Sequence, residues 1–333
     1  MNEQNFLKRH SVVIYFVLAF AIAWIGSFVL VGPKFVTGSI IEFSDVGLMA
    51  IVMLGAPFMA GLLMTYLADG KLGIEHLFVR MTRFRVAGRW YLPLLIFPAL
   101  LLCVSLLLGI FVSSELAPTL GLLGIFGGPL AGFLEETGWI GFAYPKMKGK
   151  ASALRTGIYL GVIHGVWHIA ADFLGNSNAF GAYWLPYFFG FFLHVVALRV
   201  LIVWVYSNTD SVFLAMLMHA SSTGFYGILI STTMAPVNYL IFYNAYGVVL
   251  CLAASVVALK YGRTLKNQIH LNYENNLKVP ISLKCVAVLF LTPLRHGQTF
   301  LCRFCSRDNV KGLSWRIRRV HEMSFTGQVP FLL

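Results

Sequence analysis

The chain has 333 residues, of which 58% are hydrophobic and 11% charged. A soluble domain carries about 25% charged residues, so this chain must place most of its surface against lipid, and whole-chain readings as a soluble enzyme, a nucleic-acid module or a secreted disulfide scaffold are excluded. The formal charge of +12 is largely terminal, because residues 261–333 hold 11 Lys and Arg against 3 Asp and Glu. The body therefore lacks the basic excess that phosphate backbones require, and no nucleic-acid partner is expected.

Apolar runs long enough to span a bilayer lie at about 12–31, 47–67, 90–112, 119–141, 153–171, 182–206, 211–231 and 236–260, each separated from the next by Gly, Pro or charge. They predict an all-α polytopic integral membrane protein whose roughly eight transmembrane helices enclose a polar intramembrane cavity. The first run follows Lys8 and Arg9 and is about 20 residues long, which reads as a retained span rather than a cleaved signal.

Basic residues alternate between loops: Lys8 and Arg9, then Lys71, Arg80, Arg83, Arg85 and Arg89, then Lys146, Lys148, Lys150 and Arg155, then Lys260, Arg263 and Lys266, against Lys34 alone in the intervening loops. Short basic loops stay on the cytoplasmic side, so both termini are expected in the cytoplasm, and an even number of spans agrees.

The chain divides into a transmembrane domain over 1–260 and a basic, irregular cytoplasmic tail over 261–333, where neither a helical nor a strand period is sustained. Five scattered cysteines do not make a disulfide framework. Cys302 and Cys305 form one C-x-x-C near His296 and His321, but without a second cysteine pair no zinc site is expected in the tail.

Ionisable side chains in hydrocarbon cost several kcal/mol and are functional candidates by default. Those in the predicted spans are Glu135 and Glu136 in the fourth, His164 and His168 in the fifth, His194 and Arg199 in the sixth, and His219 in the seventh. At about 1.5 Å per residue, Glu135 is expected roughly 9 Å from the cytoplasmic end of its span, His219 roughly 12 Å and His168 roughly 17–22 Å, so one pocket could hold all three.

Carboxylates and imidazoles in such a pocket suit hydrolysis, with Glu taking a proton from water and His donating to an oxyanion. A Zn2+-assisted variant would use Glu135, His164, His168 and His219, since His164 and His168 at i, i+4 share a helix face. Proton-coupled transport uses the same residue types, though no internal repeat is visible. His164 and His194 also suit satisfied interior histidines.

Three motifs carry a family resemblance. Glu135-Glu136-Thr137-Gly138-Trp139-Ile140-Gly141-Phe142 with Pro145, then His164-Gly165-Val166-Trp167-His168, then His219-Ala220-Ser221-Ser222-Thr223 resemble, in order and spacing, the CPBP family of intramembrane proteases, which includes the type II CAAX prenyl endopeptidases and relatives linked to bacteriocin immunity. Gly55-Ala56-Pro57 in the second span adds to the likeness. The resemblance implies an intramembrane endopeptidase acting near the cytoplasmic membrane surface. Glu135 would activate water, with Glu136, His168, His219 and Thr223 supporting the site, and the substrate would be a membrane-associated or prenylated peptide or protein.

Three positions depart from the family pattern: Ile140 stands for Arg, His164 for an aromatic, and Thr223 for Asn or Asp. Ile140 cannot neutralise Glu136, and Arg199 is the nearest cation in a span that could do so. A catalytically impaired relative that binds peptides or confers bacteriocin immunity is the alternative those departures raise.

Overall fold

The computed structural model describes residues 3–266 apart from residues 150 and 232. The tail beyond residue 266, with its C-x-x-C, lies outside the described residues.

Nine α-helices are described: α1 (Glu3–Thr37), α2 (Phe43–Met81), α3 (Ile96–Phe111), α4 (Leu123–Gly138), the short α5 (Tyr144–Lys148), α6 (Ala153–Phe180), α7 (Trp184–Thr209), α8 (Val212–Leu229) and α9 (Pro236–Tyr261). No strand occurs among the described residues. Six helical stretches are long and apolar enough to cross a membrane, so this is an all-α polytopic integral membrane protein.

One of those stretches covers 57 residues, 153–209, which as a single rod would be roughly 85 Å long, far beyond a bilayer. It doubles back at Gly181, whose φ of 53° needs a residue without Cβ, giving α6 and α7. α4 has only 16 residues, but a π-helical turn at Trp139–Ala143 carries it without a break into α5. The eight runs read from the sequence are thus the eight long helices.

Local chemistry places the ends. Ser152 and Ser211 accept the backbone N–H groups of Arg155 and Leu214, capping α6 and α8. α2 outlasts its span because Gly70, with φ of 69°, kinks it and lets residues 71–81 run on as helix where the sequence suggested only a loop. Arg80, near the end of that extension, donates to the carbonyl of Gly141 at 2.7 Å and the hydroxyl of Tyr206 at 2.8 Å. Lys8, Arg80, Arg83 and Lys146 share the lining of one cleft of about 880 Å3, so basic residues from three segments gather at one face of the bundle.

α4 is central. Gly124, Gly128 and Gly132 face α8 so closely that a Cβ on Gly128 would lie 2.5 Å from the Cα of Gly224, and Cβ atoms on the other two would collide with the carbonyls of Gly224 and Met216. Small residues at a spacing of four allow this backbone contact between membrane helices. On its other side α4 touches α2 where Gly61 meets Gly138 and where the rings of Phe58 and Phe133 lie 5.6 Å apart. Beyond those contacts a cavity begins.

Candidate active site

The chemistry-bearing residues of all three motifs converge at one level of the bundle. From the ends of the continuous 123–148 helical rod, Glu135 is 12 and 13 residues away, roughly 18 and 20 Å. The rod outlasts the apolar run because α5 continues it. Glu135 sits midway along this rod, and the same arithmetic places His168 near the middle of α6.

The two adjacent carboxylates face different surroundings. Glu136 is fully buried. Nη1 of Arg199 lies 2.6 Å from both of its oxygens, and His219 Nδ1 lies 2.6 Å from Oε1. A carboxylate can only accept here, so Nδ1 of His219 carries the proton. The cation expected to replace the missing arginine at position 140 is therefore Arg199. It lies wholly buried, inside α7, with its guanidinium 5.9 Å from the centre of the Trp139 ring.

Glu135 is also buried, but it lines the cavity. Its Oε2 accepts from Trp139 Nε1 at 3.1 Å and lies 2.9 Å from His164 Nε2, with Arg199 Nη2 at 3.8 Å. Oε1 has no hydrogen bond among the described residues. The π turn helps this arrangement, because a widened turn starting at Trp139 accommodates the bulky indole directly after Gly138 while its N–H reaches back to Glu135.

His164, which the sequence suggested was an interior spectator, is the link between the two halves. Arg199 Nε donates to its Nδ1 at 2.9 Å. Arginine never accepts, so Nδ1 is the bare nitrogen and a neutral His164 carries its proton on Nε2. That N–H points at Glu135 Oε2, with His168 Nε2 at 3.2 Å. Glu135, His164 and His168 bring ligand-type atoms within 4.8 Å of one another. His219 is outside that trio, engaged with Glu136.

The cavity has a volume of about 420 Å3, within the roughly 300–1,000 Å3 of ligand-holding clefts. Its wall is largely small or apolar, including Met49, Met53, Gly127 and Ala131, with Glu135, His168, Asp172 and Thr223 among its polar members. Val46 at the start of α2, Leu123 at the start of α4 and Gly227 near the end of α8 also line it. It therefore reaches the end of the bundle opposite the basic cleft. Toward that cleft, Trp139, Ile140, Phe142 and Tyr15 are all buried in the core.

Two features escaped the sequence reading. Asp172 lay just past the predicted end of the fifth span, whereas α6 runs on to Phe180. The stripe Gly124, Gly128, Gly132 was visible as small residues four apart. Thr223 lines the cavity, while its neighbour Ser222 turns away to hydrogen-bond His194 Nε2 at 3.1 Å.

Residues 117–225, which contain every one of these motif residues, match the family described as type II CAAX prenyl endopeptidase, Rce1-like. A curated relative, CAAX prenyl protease 2 of Methanococcus maripaludis, is 29% identical over 114 residues, covering 33% of this chain and 40% of that protein. The chain thus spans about two fifths of the length of the curated relative it matches.

Proposed function

We propose, on the similarity of residues 117–225 to the type II CAAX prenyl endopeptidases, that this chain is an intramembrane endopeptidase in which Glu135 activates water to attack a peptide bond held in the cavity. The observation that carries this reading is the contrast between the two oxygens of Glu135: Oε2 is fixed by Trp139 and His164, while Oε1 is unengaged on a residue that lines the cavity. A general base needs both properties, a locked carboxylate and a free oxygen within reach of water.

In this reading water bound at Oε1 loses its proton to Glu135 as its oxygen attacks the scissile carbonyl. The N–H of His168 stabilises the developing oxyanion, while that of His164 stays on Glu135 Oε2, and Glu135 returns the proton to the leaving amine. Arg199, Glu136 and His219 keep the imidazole of His164 in the required tautomer, and Thr223 is a hydrogen-bonding position on the cavity wall. An apolar wall suits a membrane-embedded or lipid-anchored peptide, prenylated chains included.

A metal-dependent variant fits this donor set poorly. With Arg199 donating to Nδ1, His164 has its proton on Nε2 and no lone pair directed at Glu135 and His168. A dication there would have two remaining protein ligands, fewer than the three of catalytic zinc sites, beside a buried guanidinium. We therefore infer water activation by Glu135 without a metal.

The distribution of Lys and Arg orients the basic cleft toward the cytoplasm. The cavity mouth then opens toward the opposite leaflet, so in this reading the cleaved segment enters from that half of the bilayer and not, as the motif resemblance implies, from near the cytoplasmic surface. Incubating purified protein with a library of membrane peptides, and reading products by mass spectrometry, tests the activity. Glu135→Gln should lose at least about 100-fold in rate with unchanged thermal stability, and a chelator should leave the wild type active. Activity of the variant within about threefold of wild type would sink the general-base assignment.

A further inference from the structure

A second carboxylate on the cavity wall has no part in that mechanism. Asp172 stands one helical turn beyond His168 on α6, about 6 Å farther along the axis, and both residues line the cavity. Its oxygens are held by three donors: Trp184 Nε1 to Oδ1 at 2.8 Å, Tyr187 Oη to Oδ2 at 3.1 Å and Asn176 Nδ2 to Oδ2 at 3.2 Å.

All three donors are neutral. The two motif carboxylates share the guanidinium of Arg199, whereas Asp172 has no ion pair among the described residues. Each carboxylate oxygen offers two lone-pair sites. Oδ1 has one donor, so an acceptor position remains on a residue that is only partly buried and borders the cavity. In surroundings of low dielectric an uncompensated carboxylate attracts positive charge strongly; the other carboxylate on the wall, Glu135, already has the Arg199 guanidinium 3.8 Å away, and residues such as Met49, Met53 and Ala171 offer a cation nothing.

We propose that Asp172 is a specificity-determining residue of the cavity, receiving a basic side chain, lysine or arginine, that flanks the scissile bond of the substrate. The fixed triad of Trp184, Tyr187 and Asn176 holds the carboxylate ready, and the apolar wall beside it accommodates the methylene stem of such a side chain. The proposal rests on the cavity being the peptide site, so its test separates binding from cleavage.

Three synthetic transmembrane peptides that differ at one position, lysine, norleucine or glutamate, are titrated by fluorescence anisotropy against Glu135→Gln protein and against Glu135→Gln with Asp172→Asn. The lysine peptide should bind at least tenfold tighter than the norleucine peptide to the first protein, and within twofold of it to the second. Equal preference in both proteins overturns the proposal. So does a lowered melting temperature with an unaltered lysine preference, which would leave Asp172 only a tether between α6 and α7.

Carbodiimide coupling of the lysine peptide to the otherwise wild-type cavity supplies a readout that needs no Asp172 variant. The cross-link should map to Asp172, and a cross-link mapping to any other acidic residue counts against the proposal. Lysine-selective binding without cleavage by the wild type would overturn the endopeptidase reading while the recognition by Asp172 stood.

Discussion

α4 carries two neighbouring rows of residues at the same spacing of four, and the bundle treats them in opposite ways. Gly124, Gly128, Gly132 and Glu136 form one row, Leu123, Gly127, Ala131 and Glu135 the other. The first row is filled: the backbone of α8 lies against its glycines, and Arg199 and His219 close over its carboxylate. The second is covered by no neighbouring backbone: it lines the cavity from Leu123 to Glu135, with Gly124 and Gly128 of the first row at the cavity's border against α8. One helix thus uses small residues both to bring a neighbour into contact and to keep a space empty, and the chemistry of the two glutamates follows from which row each occupies.

The largest test of that division is at the closed row's carboxylate. Removing one member of a buried ion pair costs about 3–5 kcal/mol, while replacing both with neutral residues can be nearly neutral. Arg199→Met should therefore destabilise the protein by about that amount, and adding Glu136→Gln should restore much of it, as read by thermal unfolding in detergent. Recovery should be incomplete, because Arg199 also holds His164 through Nδ1. Strictly additive losses in the cycle would mean that the two residues do not act as a pair.

A methyl group placed in each row gives the next contrast. Gly128→Ala puts a Cβ 2.5 Å from Gly224 Cα and 2.6 Å from the carbonyl oxygen of Ala220, both backbone atoms of α8, and overpacking of this kind costs about 1–3 kcal/mol. At Gly127 a Cβ meets nothing within 4 Å, so Gly127→Ala should change stability by about 0.5 kcal/mol or less. If both substitutions proved equally harmless, the close approach of α4 and α8 would be wrong.

The rows also show what a sequence displays and what it conceals. Eight apolar runs, the acidic pair and the histidines were readable because burying charge in lipid and spanning a bilayer leave strong compositional marks. Arg199 as the partner of Glu136 was readable by elimination, since few cations lie in spans. The place of Glu135 midway along a longer helical rod was not, because α5 is too short and polar to register as part of an apolar run, and only the π turn that joins it to α4 lengthens the rod. The role of His164 was hidden for another reason: a histidine on an apolar helix looks the same whether or not an arginine 35 residues later holds its ring. Which of two four-spaced rows meets a neighbouring backbone depends on where α8 packs, and no local pattern in α4 records that.

The smallest predicted effect concerns how the closed side is held at its end. The backbone leading into α4 is tied to the end of α8 by Thr119 N–H to the carbonyl of Leu229 at 2.8 Å and Gly121 N–H to that of Ile228 at 2.7 Å. Just before it, Glu115 reaches across to α9, accepting from the backbone N–H of Ala235 at 3.0 Å and from Asn238 Nδ2 at 2.8 Å. Those two donors, the backbone one first, hold its carboxyl below the ordinary carboxylate range. A group with a lowered folded pKa contributes stability that is present above its unfolded pKa and is lost as pH falls through the folded value. The melting temperature should therefore decline on acidification below about pH 4.3, and Glu115→Gln should remove part of that decline while barely altering the melting temperature at neutral pH. An acid limb of the same depth in the variant would assign the loss to other carboxylates and leave the α8 backbone bonds as the main restraint on the entry to α4.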